Sequence, residues 1–278
     1  MTYRQESRVR WGRSARGWEA RAEALSRATM PVSAWMVDAI APQPGHVLLE
    51  LAAGLGDTGF LAAELIEPGG TLICSDLVPE MLSAAQRRAE ALGLRNVRFR
   101  QIDAEAIDQP AASLDGVLCR WGYMLLADPD AALLQTRRVL RPGGRLALAA
   151  WTGADDNRWS AQPIRELVAR GLMDEPDPSG PGQFTWSREG AVAEHLEAAG
   201  FVEHHVEVVD FHMRYRSVQD WWDSGRDMSL RFNEATAALD PAVTAEVQAA
   251  LARAAAPWTG DDGTIAVPAR TWVAVAGA

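Results

Sequence analysis

Between Val47 and Ala150 the chain alternates short apolar runs with helix-patterned stretches, and this rhythm constrains the fold more than any other feature. A buried-type run, Val47-Leu48-Leu49-Glu50-Leu51, leads through the glycines at Gly54–Gly59 into a helix reaching about Glu67. The Pro68-Gly69-Gly70 turn gives way to a second strand, Thr71–Ser75, and then to a helix from Pro79 to about Leu92. Gly93 should stop that helix, because glycine adopts the left-handed conformation past a helix end at little cost. A third strand at Val97–Gln101 follows, then a short helix near 104–108, a fourth strand at Gly116–Arg120, a helix at Asp130–Leu140 and a fifth strand at Arg145–Ala150. Strands alternating with helices in this way imply parallel βαβ units in one sheet with both faces covered.

After Trp151 the rhythm breaks. Residues 151–187 hold a helix expected at 162–172 and the turn-rich stretch Pro176-Asp177-Pro178-Ser179-Gly180-Pro181-Gly182. The pattern resumes with a helix near 188–199, closed by Gly200, and a strand near Val206–Phe211. Residues 217–256 read as two helices split at Asp240-Pro241, and a last strand near Ile265–Val275 follows. Residues 1–30 form a basic arm of one or two short helices, with Arg4, Arg8, Arg10, Arg13, Arg16 and Arg21 against Glu6, Glu19 and Glu23. The organisation is one α/β domain over 1–278, with an arm at 1–30, a core at 47–150, and insertions at 151–187 and 211–263 forming a cap.

The charge balance narrows the function. Net charge is −10, a poor match to the basic footprint of bulk nucleic-acid binding. All 27 basic residues are arginine, which removes chemistry that needs a lysine amine, including Schiff bases and the P-loop lysine. Cys74 and Cys119 are too few for a disulfide scaffold or a thiolate metal site, no metal-ligand spacing is present, and both read as buried packing residues. No apolar run is long enough to span a bilayer, and no apolar stretch follows the N-terminal arginines as it would in a secretory signal. The expectation is a soluble, cytoplasmic protein without membrane insertion or nucleic-acid partner, with a homodimer left open.

Gly54-Leu55-Gly56-Asp57-Thr58-Gly59 matches G-x-G-x-x-G between a strand and a helix. Such glycines permit a tight turn and let a ligand approach the backbone where the helix offers unpaired N–H groups. Asp76, ending the second strand, can accept hydrogen bonds from both hydroxyls of a ribose. These features suit a dinucleotide or S-adenosylmethionine about equally. Three others weigh toward the latter: Glu50 within the first strand, Asp103-Ala104 after the third, and the turn Arg141-Pro142-Gly143-Gly144 into the fifth.

With these residues in order, including Cys119-Arg120-Trp121-Gly122-Tyr123-Met124, the chain resembles class I S-adenosylmethionine-dependent methyltransferases, in the subgroup similar to ubiquinone/menaquinone-biosynthesis enzymes. The resemblance covers Val47 to Ala150. It implies a Rossmann-like, seven-stranded, mostly parallel sheet with helices on both faces and an antiparallel last strand. It further implies S-adenosylmethionine as cofactor and S-adenosylhomocysteine as product. Glu50, Gly54 and Gly56 would shape the methionine end of the site, Asp76 would hold the ribose and Leu77 would flank the adenine. Asp103 and Ala104 would meet the adenine edge, and Arg120 and Trp121 would line the sulfonium end. Two positions depart from the family: Ala52 stands where glycine is common, and Glu50 where aspartate is more usual.

Eleven tryptophans stand beside three tyrosines. Trp151, Trp159, Trp221 and Trp222 fall after a strand end or in the insertions, and with Tyr123 they are candidates for an aromatic acceptor pocket. Among the histidines only His212, expected just past a strand's carboxyl end, is placed to act as a base. Methyl transfer is an in-line displacement from a good leaving group, so alignment and water exclusion can supply much of the rate. The expected reaction is O- or C-methylation of a small, aromatic or lipophilic acceptor. The alternatives are a nicotinamide-dependent oxidoreductase and a non-catalytic cofactor-binding protein on the same fold.

Overall fold

A computed structural model describes residues 2–177 and 180–278, so Pro178 and Ser179 of the expected turn-rich stretch lie outside the described residues. Among the described residues seven strands form one sheet: β1 (Val47–Glu50), β2 (Thr71–Asp76), β3 (Val97–Gln101), β4 (Leu114–Arg120), β5 (Leu140–Trp151), β6 (Val202–Tyr215) and β7 (Ile265–Gly277). Their spatial order is β3-β2-β1-β4-β5-β7-β6. The first five pair in parallel, and β7 runs antiparallel to both of its neighbours. The expected sheet, reversed last strand included, is therefore present.

Burial explains the central strands. Leu48, Leu49, Leu72, Val117, Leu118, Leu146 and Leu148 are almost wholly removed from solvent, as strands covered on both faces should be. Helices α2 (Asp57–Leu65), α3 (Pro79–Leu92) and α4 (Pro129–Val139) connect them. Gly93 does end α3 at φ 74°. The short helix expected near 104–108 is absent. Asp103 Oδ1 instead accepts the Glu105 amide at 3.0 Å, and residues 103 and 106 make a lone bridge; this local side-chain bond competes with helical pairing.

The N-terminal arm is also corrected. It is one helix, α1 (Tyr3–Ile40), opened by a reciprocal Thr2/Gln5 capping box and continuing through Pro31. Its second half buries Leu25, Thr29, Val32, Met36, Val37 and Ile40 at helical spacing. Its first half carries glycines that look like breakers but serve close packing. A Cβ at Gly17 would lie 1.9 Å from the Asp227 carbonyl oxygen.

Beyond β5 come α5 (Arg158–Val168), α6 (Ala191–Ala198), α7 (Val218–Met228), α8 (Leu230–Ala237) and α9 (Pro241–Ala255). The two helices expected between 217 and 256 are three. Ser229 leaves helical geometry at ψ 109° and its side chain caps the Phe232 amide, dividing α7 from α8. Strand β6 reaches Tyr215, so residues 211–215 belong to the sheet and not to an insertion. Helix α7 packs on α1, α5, α8 and α9, joining arm and cap.

Candidate active site

In this strand order the chain moves outward from β1 through β2 to β3, then returns to place β4 on the other side of β1. The crevice outside the carboxyl ends of β1 and β4 is thus a topological switch point, where open α/β sheets bind ligands. Both loops leaving it carry strained backbone. Ala52 after β1 sits at φ 49° and Trp121 after β4 at φ 59°, left-handed values that cost a non-glycine residue about 1–2 kcal/mol. The loops touch: a Cβ at Gly122 would lie 2.8 Å from Ala52 Cβ and 2.6 Å from Cys119 Sγ. Ala52, where the family commonly has glycine, therefore keeps the required conformation at the expense of strain. Ala52→Gly is expected to hold stability level or raise it by up to about 1 kcal/mol, whereas alanine-to-glycine changes elsewhere ordinarily cost about that much. Urea melts of the two proteins measure the difference.

Gly54 follows at φ 54°, and no atom lies within 4 Å of where its Cβ would be. Space is therefore open at Gly54 itself, whereas at Gly56 the Phe60 ring lies 2.4 Å from where a Cβ would be. Asp76 Oδ2 accepts the Gly54 amide and Oδ1 the Val78 amide, both at 2.9 Å, so one carboxylate ties the glycine loop to the start of α3. Burial raises its pKa against the pull of those amides. Leu77 is partly exposed beside it, and Ala104 is buried. Asp103, at the end of β3, holds Arg4 of α1 at 3.1 Å, and Arg4 also pairs with Glu105. Tyr3 donates its hydroxyl to the Leu125 carbonyl at 3.0 Å, so the first turn of α1 spans the loops after β3 and β4. Trp11 and Ala15 pack with Leu55, Val78 and Met81, bringing the next turns of α1 over the glycine loop and the start of α3.

Glu50 is fully buried next to the first turn of α2, and a Cβ at Gly59 would lie 2.4 Å from its Oε2. Burial pushes its pKa up to about 8, against the pull of the Gly59 amide and of Arg120. Oε2 has no hydrogen-bond partner among the described residues. A carboxyl group that stays protonated when folded but ionises near its ordinary value when unfolded makes stability fall as pH rises from about 4.5 to 8. Glu50→Gln is accordingly expected to gain on the parent across that window, by at most on the order of 1 kcal/mol per pH unit. Urea melts between pH 5 and 8.5 check this, and parallel profiles would contradict it.

Arg120 and Trp121 are heavily engaged. Arg120 donates to Asp57 at 2.9 Å, to Ser33 of α1 at 3.1 Å and to Thr29. Its guanidinium carbon lies 4.8 Å from the Trp121 ring centroid. Trp151 stacks on Trp121 at 4.1 Å and 13°, and Trp121 Nε1 donates to Thr271 at 2.9 Å. Arg88 completes the group by pairing with Asp57 at 2.8 Å. Asp57 and Arg88, neither singled out from the sequence, thus fix the helix that follows the glycine loop. Asp57 could have been noticed as the charged member of the glycine motif; nothing local marks Arg88.

The aromatic candidates divide. Trp151 and Trp159 join Trp121 and Phe211 in one cluster after β4 and β5. Trp121 and Trp159 are partly exposed, while Trp151 is buried. Tyr123, expected in the pocket, is in the core, stacked on Trp186 and bonded to Thr136 at 2.7 Å. Trp221 and Trp222 are likewise packing residues: Trp221 stacks on Tyr215, and Trp222 meets Phe232 edge-on. His212 is not past a strand end. It lies inside β6 opposite Pro268 and is exposed, while Phe211, Met213 and Tyr215 point the other way into the core. Its placement removes the ground for a base role.

The site thus offers an open glycine turn, carboxylates at the ends of β2 and β3, and an aromatic cluster beyond β4 and β5. Those donors and acceptors fit a nucleoside with hydroxyls and an amino group, provided Asp103 shares or exchanges Arg4. Comparison with known proteins bears on the family and the fold. The methyltransferase-domain family matches residues 51–148. Nocamycin O-methyltransferase of Saccharothrix syringae is 33% identical over 62% of this chain and 65% of its own length. Demethylmenaquinone methyltransferase of Thermus thermophilus is 42% identical over 36% of this chain and 45% of its own. The chain therefore spans less than two thirds of either relative. The solved structure of geranyl diphosphate methyltransferase with S-adenosylmethionine shares the fold, at a TM-score of 0.52 and 18% identity over 94% of this chain and 91% of that one. By sequence, residues 51–148 are similar to the methyltransferase-domain family, and the chain shares its fold with that solved methyltransferase.

Proposed function

We propose that this protein transfers a methyl group from S-adenosylmethionine to a small aromatic or lipophilic acceptor, at oxygen or carbon. The observation that carries the reading is the switch-point crevice itself: strained loops at Ala52 and Trp121 flank the open face of Gly54, with Asp76 at the adjoining strand end. Strain of this kind persists where surrounding structure holds it for a purpose. The relatives named for methylating nocamycin and demethylmenaquinone support a small-molecule acceptor. Two buried free cysteines accord with a reducing, cytoplasmic setting.

In this reading Gly54 leaves room for the methionine part of the cofactor, while Gly56 shapes the turn by admitting the Phe60 ring against it. Asp76 uses the remaining lone pairs of its carboxylate for the ribose hydroxyls, and Leu77 flanks the adenine. Asp103 takes the adenine amino group, with Ala104 beside it, and Glu50 supports the loop from below. The sulfonium supplies an activated methyl and a good leaving group. The chain contributes alignment and exclusion of water, through α1 over the loops and the aromatic cluster opposite. Incubation with methyl-tritiated S-adenosylmethionine and a panel of hydroxynaphthalenes and phenols tests the reaction. Label in the organic extract is expected; S-adenosylmethionine binding without transfer to any acceptor would favour the non-catalytic alternative.

A further inference from the structure

Asn157 is fully buried on the loop between β5 and α5, yet its side chain does not cap α5. It bonds across to β7. The ladder between β5 and β7 ends at Trp151 opposite Thr271; one residue on, the Arg270 carbonyl accepts the Thr152 amide at 3.4 Å and Thr152 Oγ1 at 3.0 Å, while the Arg270 amide is met by a side chain. The Asn157 carboxamide completes this half-made rung: Oδ1 accepts the Arg270 amide at 3.0 Å and Nδ2 adds a bond to the Arg270 carbonyl at 2.9 Å. Nδ2 also faces Thr152 Oγ1 at 3.1 Å and the Gly153 carbonyl at 3.2 Å, so the orientation of the amide follows from its neighbours.

One further bond leaves this rung. Asn157 Oδ1 accepts Trp159 Nε1 at 3.3 Å. The Trp159 ring lies 5.2 Å from Trp151, and its carbonyl accepts Trp221 Nε1 at 2.7 Å. A sheet-anchored amide therefore sets the place of a partly exposed indole, and that residue in turn holds the cap. Trp121, the other partly exposed indole of the cluster, is already stacked on Trp151 and covered by Arg120. Trp159 is left as the member free to meet a ligand ring.

We propose that Asn157 is the positioning residue of the acceptor site, fixing Trp159 as the surface on which a flat aromatic acceptor stacks. The inference rests on the methyltransferase reading and assigns selectivity within it. The test is a titration of 1,4-dihydroxynaphthalene into protein labelled with 15N at the tryptophan indoles and saturated with S-adenosylhomocysteine. The Trp159 resonance is identified by its loss in Trp159→Phe. It is expected to shift as the diol is added. Asn157→Ala should displace that resonance before any diol is present and weaken diol binding about tenfold, with S-adenosylhomocysteine affinity held within about twofold. Trp159→Phe, which keeps the Asn157 rung and an aromatic ring but removes the indole donor and part of the stacking surface, should weaken the diol about threefold. Asn157→Ala should cost clearly less than tenfold in that background, because residues acting through one contact are not additive. If Asn157→Ala does not fold, Trp159→Phe decides alone, and unchanged diol affinity overturns the proposal. So does a Trp159 resonance silent to the diol while S-adenosylhomocysteine is bound, or an equal loss of both affinities in Asn157→Ala. Failure of S-adenosylhomocysteine to bind the parent protein at all would instead overturn the methyltransferase reading on which the proposal stands.

Discussion

Asp76→Ala is expected to weaken S-adenosylhomocysteine binding by between one and two orders of magnitude. A charge-assisted hydrogen-bonding group is worth roughly 1.5–3 kcal/mol, and each 1.4 kcal/mol is about tenfold in affinity. Asp76 acts twice in the proposed site. It would meet the ribose, and it already holds the Gly54 and Val78 amides that shape the loop. Asp76→Asn keeps one acceptor oxygen and should fall between parent and alanine variant. Titration calorimetry measures all three, and an alanine variant within twofold of the parent would remove Asp76 from the site.

A second large effect is expected where α1 packs on α7. Gly17→Ala should destabilise the protein even though alanine is favoured over glycine inside helices by about 1 kcal/mol. The new Cβ would fall 1.9 Å from the Asp227 carbonyl oxygen, a backbone atom that can move only if α7 shifts away from α1. That shift would loosen Trp18 from the Met228 carbonyl, bonded at 3.0 Å, and Arg21 from Asp220 and Asp227, at 2.6 and 2.7 Å. Overpacking of this kind typically costs 1–3 kcal/mol, so the net sign is opposite to helix propensity. Thermal melts report the loss, and faster hydrogen exchange in residues 218–228 locates it in the cap. A more stable variant would mean that arm and cap are not docked as described.

The central strands were legible because their burial is nearly uniform: Val47–Glu50 and Thr71–Asp76 each carry an apolar run that leads to a carboxylate at the strand end. The glycine loop and Asp76 were legible for the same reason, as polar or glycine residues at the ends of apolar runs. The long α1 was not. Arg-rich turns with Gly12, Gly17 and Pro31 carry a weak helical signature, and the contacts that support the helix come from Asp220, Asp227 and Glu105, distant in sequence. Tyr123, Trp221 and Trp222 read as pocket candidates because composition does not distinguish an aromatic residue lining a cleft from one filling the core. His212 was misplaced by a strand that extends to Tyr215, where alternation along β6 turns His212 outward. Asn157 carried no local signal, because its role depends on where β5 stops pairing with β7.

The most direct test of the central claim is calorimetric titration of the parent protein with S-adenosylhomocysteine and, separately, with NADH. The account predicts that S-adenosylhomocysteine binds one site per chain and raises the melting temperature in proportion to its saturation. It also predicts hydrogen-exchange protection at Gly54–Gly59 and over the first turns of α1. NADH binding with no response to S-adenosylhomocysteine would contradict it, returning the glycine turn to the dinucleotide reading.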